Sequence, residues 1–386
     1  MAGEITVGGN ILASHTGVEG AGSLTLGNTV APASSYMFRN RIINGDMRID
    51  QRNAGSAVTN NGAETYPVDR FLGIGVQSDG TYTLQRVSDS PDNFDYSLKV
   101  TVTNPDTSIP ASGRYLVRTK LEGNSICGLN FGSSAAKNIT LSFYVKSSLT
   151  GTFGGTFVNG AQDRSYPFSY TISSANTWER KTITLTADTT GTWPTDNTKA
   201  LQIGWSLGVG SDFLGTANSW VGAQKWGVTG ETNVIANNSA TFYITGVQFE
   251  EGPIATPFEH RPYGLELSLC QRYYEKSFNL NTVPANNTGE TTVMYSHRQS
   301  GYGMAVPIVF KERKRIAGAT TIVYNPYNTT ANRAAWVASS NQAFTHSTVY
   351  SVTETGFFVL NFSSPVDTPD TTGNIIAFNW AANAEL

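Results

Sequence analysis

TFYITGVQFEEGPIATPFEHRPYGLELSLCQRYYE, Thr241 to Glu275, marks where one β domain stops and the next begins. Phe242 and Ile244 share one face of a strand. Val247 and Phe249 resume the alternation after a one-residue slip at Gly246, the mark of a bulge. Pro253, Pro257 and Pro262 follow; they withhold ladder donors and cannot sit inside a helix, so the strand must end and the chain must leave the sheet. Leu265, Leu269 and Tyr273 then recur at helical spacing, with Arg272 and Lys276 near the end. That pattern predicts a short helix with Leu265, Leu269 and Tyr273 on one face. The stretch is a hinge between a large β domain and a smaller one.

Working outward, the composition agrees with strands and turns. Of 386 residues, 39% are apolar and only 14% charged, with 38 glycines, and Thr, Ser and Asn are plentiful. Thr, Tyr and Phe suit strands, and Gly and Asn suit the turns between them, so an all-β chain is expected. The formal net charge of −3 gives no basic face for a nucleic acid. The densest basic cluster, Lys311 to Arg315 (KERKR), is interrupted by Glu312 and reads as a solvated turn. Cys127 and Cys270 are far apart; one bridge or two buried thiols both fit, and cytosolic assembly favours the thiols. MAGEITVGGN has no basic region followed by an apolar one, and no long apolar run occurs elsewhere. Neither a secretory signal nor a membrane span is expected.

Residues 1–38 carry few large apolar groups, only the short alternating pairs Ile5 with Val7 and Leu24 with Leu26. An arm of that kind becomes ordered against a neighbouring copy or a particle, or else is a disordered leader. From Asn40 onward strand signals come at short intervals: Tyr96 to Val102, Tyr115 to Leu121, Leu141 to Val145 and Ile183 to Leu185 alternate apolar with polar, separated by Pro-Asp, Ser-Gly, Asn-Gly and Thr-Gly turns. Such spacing without amphipathic helices predicts a sandwich or barrel. In the strand Leu201 to Val209, Leu201, Ile203, Trp205, Leu207 and Val209 form one face, while Gln202, Gly204, Ser206 and Gly208 leave the other nearly bare. A bare strip admits a ligand or another backbone. The long segment Ser211 to Asn238 follows, holding Trp220 and Trp226. After the hinge, 277–386 form a second β unit ending in a strand near the last residues, with apolar runs at Met304 to Ile308, Ile322 to Tyr324, Phe357 to Phe362 and Ile375 to Trp380.

Catalytic patterns are missing. His15, His260, His297 and His346 lack paired ligand spacing, no GxSxG elbow occurs, and Glu250 and Glu251, adjacent on a strand, point to opposite faces. Sugar binding without catalysis fits the residues better: aromatic rings stack on pyranose faces while amides and charged groups take the hydroxyls. Gln202 on the bare strip, with Trp220, Trp226, Gln224 and Lys225 in the following loop, is therefore the candidate glycan site. The competing reading is that these indoles, with Trp193, cap the ends of the sandwich core.

YITGVQFEEGPIATPFEHRPYGLELSLCQRYYEK, NRIINGDMRIDQR at Asn40 to Arg52 and the closing FNWAANAEL together resemble a cassette shared by bacteriophage tail-fibre and other virion surface proteins. The resemblance covers most of 39–386. Residues 39–252 also resemble jelly-roll carbohydrate-binding modules, which begin near an Asn-Gly-Asp-Phe-Glu motif matched by Asn44 to Met47, carry a Trp-led strand matched by Trp178 to Leu185, and close on a strand like Phe242 to Phe249. In such modules a calcium site joins the two ends; here Asn44, Asp46 and Glu250 would supply its oxygens. Arg48, however, stands where the module's glutamate would help hold the ion, and Thr245 with Gly246 where it usually shows aspartates.

The expected architecture is all-β: an extended N-terminal attachment arm (1–38), a jelly-roll β-sandwich resembling a carbohydrate-binding module (39–263), and a short linking helix with a smaller C-terminal β-sandwich-like domain (264–386). The expected function is that of a non-enzymatic virion appendage protein, a tail fibre or similar, which contacts host surface glycan and binds other virion proteins through its arm. The resemblance implies a homotrimer, assembled in the host cytoplasm and released on lysis, with calcium as the one candidate cofactor. A structural capsid or tail decoration protein, and a polysaccharide-degrading tailspike, are the alternatives.

Overall fold

The computed structural model describes residues 38–60, 62–76, 79–297, 304–327, 329, 333–338, 341–362 and 374–386, with short backbone runs before residue 31. Leu24 and the side chains of His15, His297 and His346 lie outside the described residues. The early runs are β1 (Gly3–Val7), β2 (Asn10–His15), β3 (Thr25–Leu26) and β4 (Thr29–Val30), paired antiparallel in that order, so Ile5 meets Ala13 of the same segment. Met1–Arg39 is one contact unit and Asn40–Leu386 another.

The second unit opens with β5 (Val58–Asn60), β6 (Thr65–Val68), β7 (Phe71–Val76), β8 (Thr81–Val87), β9 (Ser97–Asn104) and β10 (Arg114–Glu122), followed by the single turn α1 (Gly123–Ile126). It continues through β11 (Asn138–Ser147), β12 (Gly151–Asn159), β13 (Ser165–Ile172), β14 (Glu179–Thr186), β15 (Lys199–Val209), the two-residue β16 (Leu214–Gly215) and β17 (Gly227–Val228), and β18 (Thr241–Glu251). Two six-stranded sheets result: a front sheet ordered β13-β12-β15-β10-β7-β6 and a back sheet ordered β14-β11-β18-β9-β8-β5. Their pairings are antiparallel, and their inner faces share one core, giving the jelly-roll-like β-sandwich.

The alternation read in the sequence builds that core. Ile203, Trp205 and Leu207 of β15 face Leu141 and Phe143 of β11 and Phe242, Ile244, Val247 and Phe249 of β18, all buried. Phe143 meets Trp205 edge-on, ring centroids 5.6 Å apart at 77°. Each such side chain contributes about 1.5–3 kcal/mol by leaving water. Two bulges adjust the pattern. At Gly246, whose φ is +60°, the register of β18 against β11 slips, which returns Val247 and Phe249 to the core. At Gly208, φ +146°, β15 slips against β10, and Val209 passes to the outer side of the front sheet.

The hinge helix is α2 (Tyr263–Gln271). It turns Glu266 and Cys270 inward and leaves Leu265 and Leu269 half-exposed. The reason is ionic: Glu266 accepts from the Asn44 backbone N–H at 2.5 Å and from the Arg261 guanidinium at 3.2 Å. Beyond it lie β19 (Tyr274–Lys276), β20 (Val293–His297), β21 (Met304–Val309), β22 (Thr320–Tyr324), β23 (Arg333–Ala338), β24 (Asn341–Tyr350), β25 (Gly356–Phe362) and β26 (Asn374–Asn383). The last strand carries β19 and β22 along its final residues and β20 and β23 along its earlier ones, folding an eight-stranded sheet around Val306, Ile308, Phe310, Phe357, Val359, Phe378 and Trp380.

Ionic groups join the sandwich to this sheet. Arg70 and Arg52 both engage Glu385, Arg272 donates twice to Glu122 at 2.8 and 3.0 Å, and Arg315 donates to the carbonyls of Ala384 and Asn197. In the KERKR cluster Lys311 and Arg313 are exposed, as expected of a solvated turn, but the last two residues are not. Lys314 is buried against Glu275 at 2.5 Å, and Arg315 is spent at the junction. Cys127 is exposed and Cys270 buried, both as free thiols.

Candidate functional site

The bare strip of β15 exists, but the chain itself fills it. The segment after β15 folds back over the outer side of the front sheet, where the Trp226 ring lies on Gly204; a β-carbon added there would meet the ring at 3.3 Å. Glu231 sits against Gly154 and Gly227, accepting hydrogen bonds from the Ser206 hydroxyl and, at 2.8 Å, from the Val228 N–H. Asn233 and Ile235 close over Gly208. Trp226 is 0% exposed in a small second core with Leu72, Ile74, Leu116, Val158 and Val209. Glycine left room for a close approach, and the occupant is the protein's own loop.

The other candidate glycan residues are engaged in the same way. Trp220 packs among Phe131, Trp193 and Tyr166 and donates its indole N–H to the Thr186 carbonyl at 3.0 Å, plugging the gap between the edges of the two sheets. Gln202 is buried and donates to the Asn159 carbonyl, Gln224 donates to Gln162, and Lys225 donates to the Asp212 carbonyl at 2.7 Å. These five do not form an open site. Trp193 and Trp220 cap the end of the sandwich core, and Trp226 belongs to the second core on the outer side of the front sheet.

Nor do the calcium candidates converge. Asn44 donates to the Ile49 and Asp69 carbonyls at 2.8 Å each, Asp46 is paired with the Arg48 guanidinium at 2.5 Å, and Glu250 accepts from Thr256 and Gln248. Nearby, the buried Arg261 guanidinium takes the carbonyls of Asn40 and Ile42 and the Glu266 carboxylate. Of the three candidates Asp46 is met by a guanidinium, Asn44 by backbone groups and Glu250 by Thr256 and Gln248, so the residues as placed do not fit a divalent ion. Among the described residues no cluster of three His, Cys, Asp or Glu side chains could hold a metal.

A different surface carries binding chemistry: the outer side of the back sheet. The Gly246 bulge leaves Tyr243 pointing outward from β18, and register places Lys146 of β11 and Lys99 of β9 on its two sides. Gln85 of β8 continues the row beyond Lys99; Trp178, the residue before β14, continues it beyond Lys146. One residue from each neighbouring strand thus makes a row, Gln85-Lys99-Tyr243-Lys146-Trp178. At the usual strand spacing it runs about 19 Å, the length of a short oligosaccharide. Tyr243 and Trp178 meet edge-on at 6.0 Å, and the Lys146 ammonium lies 4.4 Å from the first ring and 5.1 Å from the second.

The loop from Ser88 to Asp95 walls one side of the row. Asp89 pairs with Lys146 and accepts from the Trp178 indole N–H at 3.3 Å, while Phe94 packs on Tyr144 and Phe258. Burial pushes the Asp89 carboxyl up, but the Lys146 and Trp178 hydrogen bonds outweigh it and hold it below the ordinary carboxylate value. Thr83, Thr101 and Thr241, paired in register on the other side and half-exposed, supply hydroxyls. Composition and spacing gave no signal for this row, because only register brings its members together.

No known family model matches the chain, and no curated protein does. Among solved structures it is similar to the bacteriophage CBA120 tailspike protein 4 enzymatically active domain, at 12% identity over 55% of this chain and TM-score 0.28. It is also similar to a family 11 carbohydrate-binding module of a Clostridium thermocellum cellulosomal cellulase, at 13% identity over 52% of this chain and TM-score 0.26. A third is the CBM22-1–GH10 structure of a Clostridium thermocellum endo-1,4-beta-D-xylanase complexed with xylohexaose, at 13% identity, 52% coverage and TM-score 0.27. The chain spans 22% of the tailspike domain, 99% of the family 11 module and 30% of the xylanase structure.

Proposed function

We propose that the protein binds saccharide without catalysis, as a homo-oligomeric component of a virion appendage, with its N-terminal segment attaching it to other virion proteins and the host glycan as its ligand. The observation that carries the binding reading is the Gln85-to-Trp178 row. It sets the half-exposed Trp178 ring and Lys99 ammonium on either side of the more deeply seated Tyr243 and Lys146, 9% and 8% exposed, beside a flanking line of threonine hydroxyls, a mixture that suits pyranose rings and their hydroxyls. Binding without chemistry is favoured because the carboxylate beside the row, Asp89, is already held by Lys146 and Trp178. Support for an oligomer comes from the C-terminal sheet. Val309 is 78% exposed, Tyr350 61% and Phe358 41%, and Tyr350 pairs in register with Phe358 on neighbouring strands.

Trp178→Ala tests the binding reading. Trp178 is only half-buried, so its loss is expected to cost about 1 kcal/mol of stability while removing binding to host cells or their purified surface polysaccharide. Undiminished binding by a folded Trp178→Ala protein overturns the reading.

A further inference from the structure

We infer that the back-sheet row selects saccharides bearing an anionic group, a carboxylate or a sulfate, which Lys99 receives. The inference rests on the saccharide reading above and names the ligand class of that site. Its first ground is charge pairing. Lys146 is matched by Asp89, Lys181 by Glu179 and Lys137 by Glu251, whereas among the described residues no carboxylate lies within ion-pairing distance of the Lys99 ammonium. Its recorded contact is the Tyr243 ring, 5.7 Å away.

Position is the second ground. Lys99 stands in mid-row between Gln85 and Tyr243, and the Gln85 amide is committed to the Gly55 carbonyl at 3.0 Å. Lys99 is therefore the cationic donor in that half of the row. The chain has a formal net charge of −3, so a cation without a direct ion pair here, with Asp89 acting on it only at longer range, is a local feature rather than part of a general basic surface. A nucleic-acid strand would need a track of cations matching its phosphates. The row offers one ammonium without a direct ion pair beside a line of threonine hydroxyls, which favours a polyhydroxylated ligand with sparse charge.

Calorimetry on the full chain separates the outcomes, with four probes: tetragalacturonate, the same tetrasaccharide reduced at its carboxyls, a sulfated galactose tetrasaccharide, and an eight-nucleotide oligothymidylate. Tetragalacturonate or the sulfated probe is expected to bind about five- to tenfold more tightly than the reduced form, and the arm that does so identifies the anion. Lys99→Gln is expected to abolish that difference. Equal affinity of the wild type for charged and reduced saccharides overturns the anionic inference and leaves saccharide binding standing. Binding of none of the saccharides removes both readings, and preference for oligothymidylate overturns the saccharide class itself. A Lys99→Gln protein that retains the full preference for charge also overturns the inference.

Discussion

Glu231 couples the filled front sheet to pH. Burial pushes its carboxyl up to about 7, against the Ser206 and Val228 hydrogen bonds that pull it back. A folded value above the unfolded one means that the native state holds the proton more tightly. Between roughly pH 4.5 and pH 7 the native protein therefore binds more protons than the unfolded chain, and this residue's contribution to stability falls as pH rises through that window. The full cost, about 3 kcal/mol as an upper figure, is present above pH 7. Asp69, raised by burial to about 6, acts in the same sense, so the comparison must be between proteins rather than between pH values. Glu231→Gln is expected to gain most over wild type at pH 8 and little at pH 4.5, measured by urea midpoints. A difference independent of pH would show that Glu231 is ionised throughout.

At the scale of the element, the segment from Ser211 to Asn238 is a structural cover. Trp226→Ala should cost about 3–5 kcal/mol, the loss usual for a large buried aromatic, and urea denaturation measures it directly. A change near zero would mean that the ring is not held on Gly204. The strand that receives this cover was legible in the sequence, since Leu201 to Val209 shows a full face and an empty one. Its occupant was not, because glycine specifies room and says nothing of what fills it. The Gly246 bulge was legible for a related reason: alternation that slips by one residue has a single geometric meaning. In contrast, α2 hides a glutamate and a cysteine, which no apolar periodicity can announce. Lys314 likewise looked solvated because its partner Glu275 lies thirty-nine residues away.

For the whole molecule, turn spacing was enough to foretell a sandwich, whereas the Gln85-to-Trp178 row depends on four registers that no single-strand pattern encodes. The same holds for the ionic junction, where Arg52 and Arg70 of the sandwich hold Glu385 of the last segment. The exposed apolar side of the C-terminal sheet belongs to this scale too. Pro307 on β21 withholds an edge donor, so association is expected through the Tyr350 and Phe358 face rather than by adding strands. Light scattering should find the wild type above the mass of one chain, and Tyr350→Lys with Phe358→Lys at that mass with its fold intact. A wild type that is already monomeric, or a double variant that still assembles, removes this face from the interface.

Arg261 has a consequence for how the sandwich is made. An ion must be supplied from outside, bound after or during folding, and kept against dilution. A guanidinium arrives with the polypeptide, one per chain, at the moment the carbonyls of Asn40 and Ile42 come together around it. The start of the sandwich and its closing hinge are thus tied by a cation that needs no loading step. It cannot be stripped by a chelator or lost on transfer from a crowded interior to dilute medium.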